Sequence, residues 1–387
     1  MKLDIERVVS TLCDIAPPPA PLHEPRFGTP EQEMVVSCLE DGWVSYYGAY
    51  VNQFEEELAA YCGVEHAVAT VSGTAALHAI IHMMGIGQGD EVLAPALTFV
   101  ASINAIAYTG AVPHFVDAED RTFGVDAAKL TEHLHRISER RDGKLFNKET
   151  GRRIVALMCM HVFGHPSDLD ALAAVCDEFG IPLIEDAAEA LGSFYKGKHV
   201  GNRGYLSALS FNGNKIITTG GGGAILCNDD ALAERARRIT TTARVPHPYE
   251  FSFDEIAFNY RMPNINAAVG CGQMLLLSEY LEKKRRLAAK YAAAFSEVEG
   301  IRHVGEPADC ISNYWINVLL LDPGCEDNRV PILEAAHAVG LGTRAAWIPV
   351  SQLKMYADCP RMDLPVTENL YNRIINVPSS PHLADGE

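Results

Sequence analysis

Between residues 66 and 228 short apolar runs alternate with stretches of helical pattern, which predicts an α/β fold built on a mostly parallel central sheet. Two further observations agree. The runs are apolar almost without a break, as in strands covered on both faces. The composition, 48% hydrophobic and 21% charged over 387 residues, is that of a soluble globular chain with room for two or three domains.

The elements follow in order. Residues 15–30 (IAPPPAPLHEPRFGTP) are proline-rich and aperiodic, and with their flanks suggest an N-terminal arm over 1–40. HAVATV (66–71) is a strand, followed by a helix from Thr74. EVLAP (91–95) is a second strand, with a helix near 98–109, and VPHFVD (112–117) a third. The charged segment 118–153 breaks the rhythm and is expected as a surface excursion. IVALMCMHV (154–162), a helix at 168–179, IPLIEDA (181–187), LSALSF (206–211) and GAILCN (223–228) resume it. A long helical pattern from about 264 to 298 bridges to a C-terminal subdomain with a strand at 313–321 and a helix at 330–339. The expected division is an arm over 1–40, a large domain over 41–275 and a small one over 276–387.

The 32 basic and 50 acidic residues leave a formal charge of −18, which excludes the basic face that nucleic-acid binding needs. The N-terminus carries acids where a signal peptide is apolar, and no apolar run approaches a membrane span. The ten cysteines are scattered without any C-x-x-C pair. Neither a disulfide framework nor a metal site is expected, and the chain is expected in the cytoplasm.

Three segments carry chemistry. In IPLIEDAAEALGS an apolar strand delivers Glu185 and Asp186 at its carboxyl end, where open α/β sheets bind ligands. Side chains alternate along a strand, so only one of the two acids enters a pocket; Asp186 as a plain helix cap is the alternative. In LSALSFNGNKIITTGGGGAIL, Lys215 lies between a strand and four glycines, a context that a surface lysine also fits. In ATVSGTAALHAI a strand feeds Ser72, Gly73 and Thr74 into a helix, making an anion site from backbone N–H groups and the helix dipole, or a simple cap. Together they suggest pyridoxal 5'-phosphate. Its phosphate needs the helix N-terminus, its ring nitrogen a carboxylate, and its aldehyde a lysine for a Schiff base.

These segments, with GDEVLAPALTFVASINAI, GAVPHFVD and FNYRMPNINAAVG, resemble the DegT/StrS family of pyridoxal phosphate-dependent sugar aminotransferases. The resemblance implies the aspartate-aminotransferase-like fold type I. It implies that Lys215 holds the cofactor, that Asp186 pairs with the ring nitrogen and that Glu189 approaches the ring hydroxyl. Gly73, Thr74 and Ser210 would bind the phosphate and Phe99 would stack on the ring. Asn259 and Arg261 would reach the site of a neighbouring subunit in a homodimer. MHVFGHP, TTTARVPHPYEF and the ending RIINVPSS look most like the LegC-type subgroup of legionaminic acid biosynthesis. That implies amino transfer between L-glutamate (leaving 2-oxoglutarate) and C4 of a nucleotide-linked 4-keto-6-deoxy sugar. A UDP-linked 2-acetamido sugar is the expected substrate, with a GDP-linked sugar, as in perosamine synthase, the alternative.

Other residues admit two readings. Trp43 and Tyr46, His161, Arg244 and His247 are candidate sugar or diphosphate contacts, and each also fits packing or a solvated loop. GSFYKGKH (192–199) imitates a phosphate-binding loop but has His199 where Ser or Thr is required. A dehydratase on the same scaffold would carry histidine in place of Lys215. A non-catalytic regulator that binds the cofactor or a nucleotide sugar is the reading outside enzymology.

Overall fold

The computed structural model describes residues 1–385; positions 386 and 387 of the expected C-terminal domain lie outside them. The large sheet contains β1 (His66–Thr70), β2 (Asp90–Pro95), β3 (Val112–Val116), β4 (Arg153–Met160), β5 (Leu183–Asp186), β6 (Leu206–Ser210) and β7 (Gly223–Cys227). Their order is β1-β7-β6-β5-β4-β2-β3. From β6 to β3 every pairing is parallel, while β7 runs antiparallel to both β6 and β1. The carboxyl ends of six strands therefore share one edge. β2, β6 and β7 are buried along nearly their whole length, which is why their sequences lack polar alternation.

Helices α1 (Ile5–Ile15), α2 (Thr29–Asp41), α3 (Ala49–Cys62), α4 (Gly73–Met83), α5 (Val100–Tyr108), α6 (Ala127–Ile137), α7 (Leu169–Phe179) and α8 (Asp230–Thr240) precede the 32-residue α9 (Asn264–Phe295). α4 begins where Ser72 Oγ accepts the Ala75 N–H at 3.1 Å, and α7 where Asp168 caps Ala171 in the same way. A second sheet of β8 (Ile301–His303), β9 (Asn317–Leu321), β10 (Arg344–Ala345) and β11 (Ile374–Val377) is antiparallel, in the order β8-β9-β11-β10.

Two apolar cores share α9. Ala267, Cys271 and Leu277 enter the first, and Leu287, Tyr291 and Phe295 the second. β9 serves both, because its side chains alternate: Val318 and Leu320 face the first core, Leu319 and Leu321 the second. Tyr291 is fully buried, and its hydroxyl is satisfied by the carbonyl of Pro378 at 2.8 Å.

Two expectations are corrected here. Residues 1–40 are not an arm: Val8, Val9 and Leu12 of α1 form an apolar stripe inside the second core, and α2 packs on α9. The segment 118–153 is more than a surface excursion. It forms α6 and a hairpin, Ser138–Arg141 with Lys144–Asn147, which joins the sheet through Phe146 opposite Arg153. Its charges hide the two periodicities. Residues 194–199, the imitation phosphate loop, are a tight two-stranded turn with Gly197 at φ 79°.

Candidate active site

At the shared carboxyl edge lies a cleft of about 350 Å³, lined among others by Ser72, Gly73, Thr74, Phe99, Ser102, Asp186, Glu189, Ser210, Lys215, Trp315 and Trp347. Strand alternation separates the two neighbouring acids as expected. Asp186 turns into the cleft, accepting from Ser102 Oγ at 2.5 Å and from the Ala188 N–H at 3.1 Å. Burial raises its carboxyl above the ordinary range, against the pull of Ser102, the Ala188 N–H and the Lys215 charge. Glu185 turns to the other face, where His161 Nε2 stands at 2.9 Å and the Gly201, Arg203 and Gly204 N–H groups at 2.8, 2.9 and 2.5 Å. Burial alone would raise that carboxyl too, but these donors hold it below the usual range.

Lys215 follows β6 on the turn Asn212–Lys215 and reaches back into the cleft. Its Nζ lies 3.5 Å from Glu189 Oε1 and 3.9 Å from the centre of the Trp315 ring. The other oxygen of Glu189 accepts the Phe163 N–H at 2.9 Å. Burial pushes the Glu189 carboxyl up to about 7, although Lys215 and Phe163 oppose it. Phe163 holds a φ of 56°, a left-handed conformation that aims its N–H at this acid.

The α4 N-terminus closes the cleft on one side. A Cβ at Gly73 would lie 2.8 Å from Ser210 Cβ, and one at Gly223 would lie 2.5 Å from Gly73 N. Both positions are bare backbone because nothing larger fits. The N–H groups of Gly73 and Thr74 stand in the first turn, where no intrahelical acceptor exists. At the mouth, Phe99 is 49% exposed and its ring centre is 6.3 Å from that of Trp347, which stacks on Phe163 at 4.8 Å.

The model of the DegT/DnrJ/EryC1/StrS aminotransferase family matches residues 25–387. The chain belongs to this family. It is 35% identical to EpsN of Bacillus subtilis (strain 168), a protein named for pyridoxal phosphate-dependent amino transfer, over 95% of this chain and 92% of the relative. It is 34% identical to the GDP-perosamine synthase of Caulobacter vibrioides (strain ATCC 19089 / CIP 103742 / CB 15), over 94% of each chain. Among solved structures, the aminotransferase TlmJ from Streptoalloteichus hindustanus superposes with a TM-score of 0.83 at 29% identity, over 93% of each chain. The fold is that of the pyridoxal phosphate-dependent aminotransferases, and this chain is one of these transaminases.

Several residues singled out from the sequence stand elsewhere. His161 is wholly buried; Nδ1 accepts the Ser167 N–H at 3.1 Å, which leaves Nε2–H for Glu185. It braces the back of β5 and does not line the cleft, which is the packing alternative for this residue. Arg261, expected to reach a neighbouring site, is buried against Glu55 and the Ala69 carbonyl, locking α3 to β1. Asn259 is exposed. Arg244 stacks on Phe251 at 4.0 Å within a hairpin formed by Arg244–Val245 and Ser252–Phe253, and His247 Nδ1 accepts the Glu250 N–H at 2.9 Å. Trp43 is 61% exposed, and Tyr46 lies 3.1 Å from the Tyr47 hydroxyl. None of these lines the cleft of this chain. Conversely, Ser102, Trp315 and Trp347 line it without having been singled out. Ser102 lies three residues after Phe99, on the same face of a helix start, which is the signal that was available. The two tryptophans arrive from the second half of the chain and carry no local signal.

Among the described residues no helix is long and apolar enough to cross a membrane, and all ten cysteines are free. At the surface, Glu65, His66 and Asp230 bring three possible metal-ligand atoms within 4.8 Å of one another, outside the cleft.

Proposed function

We propose that this chain moves an amino group from L-glutamate to C4 of a nucleotide-linked 4-keto-6-deoxy sugar. The observation that carries the reading is the Lys215 amine, held 3.5 Å from the buried Glu189 carboxyl in a cleft that also contains Asp186. The cleft fits pyridoxal phosphate on three counts. Bare backbone at Gly73 and Gly223 beside the α4 N-terminus suits a phosphate, with the Ser210 hydroxyl adjacent. A buried carboxyl at Asp186 suits the ring nitrogen, and a lysine amine suits the aldehyde.

When bound, the cofactor supplies an electron sink that acidifies the donor's α-carbon. The residues of the chain do the rest. Asp186 holds the proton on the ring nitrogen, oriented by Ser102. Asp186, raised by burial, would take its ionised form beside a cationic ring nitrogen. Lys215 would hold the cofactor at its aldehyde, and its Nζ amine is the base that would carry a proton to and from the donor's α-carbon. A base placed in this way contributes ~10²–10⁴-fold. Glu189 holds a proton next to the ring hydroxyl, and Phe99 covers the ring face. The same residues would serve in the same roles when the ketosugar receives the amino group.

A homodimer with shared sites accounts for the residues that stand outside this cleft. The hairpin bearing Arg244 and His247 exposes Tyr249, Phe251, Phe253 and Ile256 at 82, 72, 56 and 83%, an apolar face that suits a second copy. Trp43, Tyr46, Asn259, Arg244 and His247 then serve the neighbouring site as sugar and diphosphate contacts. We read the sugar as a UDP-linked 2-acetamido-4-keto-2,6-dideoxyhexose, used in the cytoplasm for legionaminic-acid-like surface glycans. A GDP-linked sugar is the second reading, favoured by the similarity to a GDP-perosamine synthase.

The test is the absorbance spectrum of cofactor-loaded protein before and after L-glutamate, with Lys215→Ala alongside. Loss of the lysine-bound band in wild type supports amino transfer, and UDP- and GDP-linked ketosugars are then compared for restoring it. A band that glutamate leaves untouched points to another donor or to a regulator.

A further inference from the structure

Trp315 is held on four sides. Its ring face lies 3.9 Å from Lys215 Nζ, and its indole N–H donates to the Asn214 carbonyl at 2.6 Å. Its backbone N–H donates to Asn313 Oδ1 at 2.7 Å, and its carbonyl accepts from Lys284 Nζ at 3.0 Å. Lys284 is a wholly buried lysine whose amine also reaches the Ser379 carbonyl at 2.5 Å. Asn313 is anchored in turn, its Nδ2 donating to the Glu189 carbonyl at 2.9 Å. Space-filling alone would not require an indole N–H aimed at the residue before the lysine, nor a buried amine spent on a carbonyl.

We propose that Trp315 is a positioning residue for Lys215, its ring and the Glu189 carboxyl together forming the resting place of the lysine's free amine. The ring face attracts a cationic amine. The indole N–H fixes the turn that carries it, and Lys284, on α9, braces Trp315 through its carbonyl. The purpose rests on the amino-transfer reading, in which Nζ is set free and must return in each half of the reaction. The contact itself belongs to the cofactor-free protein and is tested there.

Cofactor-free protein is pulsed with acetic anhydride at pH 8, and labelling of Lys215 relative to the exposed Lys198 is read by mass spectrometry. Loss of the ring in Trp315→Leu should raise the ratio about three- to tenfold, whereas Trp315→Phe, which keeps a π face, stays within about twofold of wild type. After pyridoxal phosphate is added, the lysine-bound absorbance should appear more slowly in the Leu variant and recover in the Phe variant. Lys284→Met, outside the cleft, should raise labelling in the same direction by a smaller factor, and it serves if Trp315→Leu does not fold. Unchanged ratios in these variants overturn the positioning role and leave the glutamate test of amino transfer unaffected.

Discussion

Ser102 Oγ and Asp186 Oδ2 stand 2.5 Å apart, joining the first turn of α5 to the end of β5 across the floor of the cleft. Ser102 is the only hydroxyl that donates to this acid among the described residues, and a bond to a buried carboxylate contributes about 1.5–3 kcal/mol. Ser102→Ala should therefore weaken pyridoxal phosphate binding by about tenfold, ~1.4 kcal/mol. Titration of cofactor-free protein by absorbance measures this; an unchanged dissociation constant would mean the serine merely packs.

Glu189 gives the folded, cofactor-free protein a pH signature. Its carboxyl is raised to about 7 from an ordinary value of 4.5 by burial, so the folded state holds a proton that the unfolded chain has released. Stability should fall as pH rises through that window, by at most about 3 kcal/mol. Glu189→Gln should be more stable than wild type at pH 8 and show little difference at pH 4. Urea unfolding at both values decides, and a gap independent of pH would refute the assignment.

Lys284 has the opposite sense of protonation. Burial holds its amine well below the ordinary lysine value, so the unfolded chain binds the additional proton and wild-type stability rises with pH toward ~10. In Lys284→Met that rise should be missing, and wild type should gain on the variant between pH 7 and 10. Parallel curves for the two proteins would show that the amine is not held neutral.

Gly73→Ala probes the phosphate cradle. The added methyl would lie 2.8 Å from Ser210 Cβ and 3.3 Å from the Leu209 carbonyl, so the helix start must move away from β6. Cofactor affinity should fall by roughly tenfold or more, since a helix N-terminus binds anions only within its first turn. Retention of cofactor through gel filtration is the simplest readout, and full retention would place the phosphate elsewhere.

The large sheet was readable because its strands are buried on both faces and its ligand edge is a property of parallel sheets. The opposite facing of Glu185 and Asp186 followed from the two-residue period alone. What could not be read was long-range. Nothing near Arg261 announces that Glu55 will capture it, and nothing in the first 16 residues names the core that α1 joins. His161 admitted two readings because a histidine at a strand end fits either a ligand contact or packing until its neighbour across the sheet, Glu185, is known. Trp315 is invisible from the sequence for the same reason: its partner Lys215 lies 100 residues earlier in the chain.

The placement of α1 has a consequence for how the protein is made. Val8, Val9 and Leu12 are synthesised long before their partners on α9 and beyond, from Leu287 to Ala384. At roughly 5–20 residues per second, that apolar stripe waits on the order of half a minute for the surface that will cover it. The strands of the large sheet are all synthesised within that interval, before α9. Synthesis of α9 and the second sheet, rather than of the large sheet, is what closes this core.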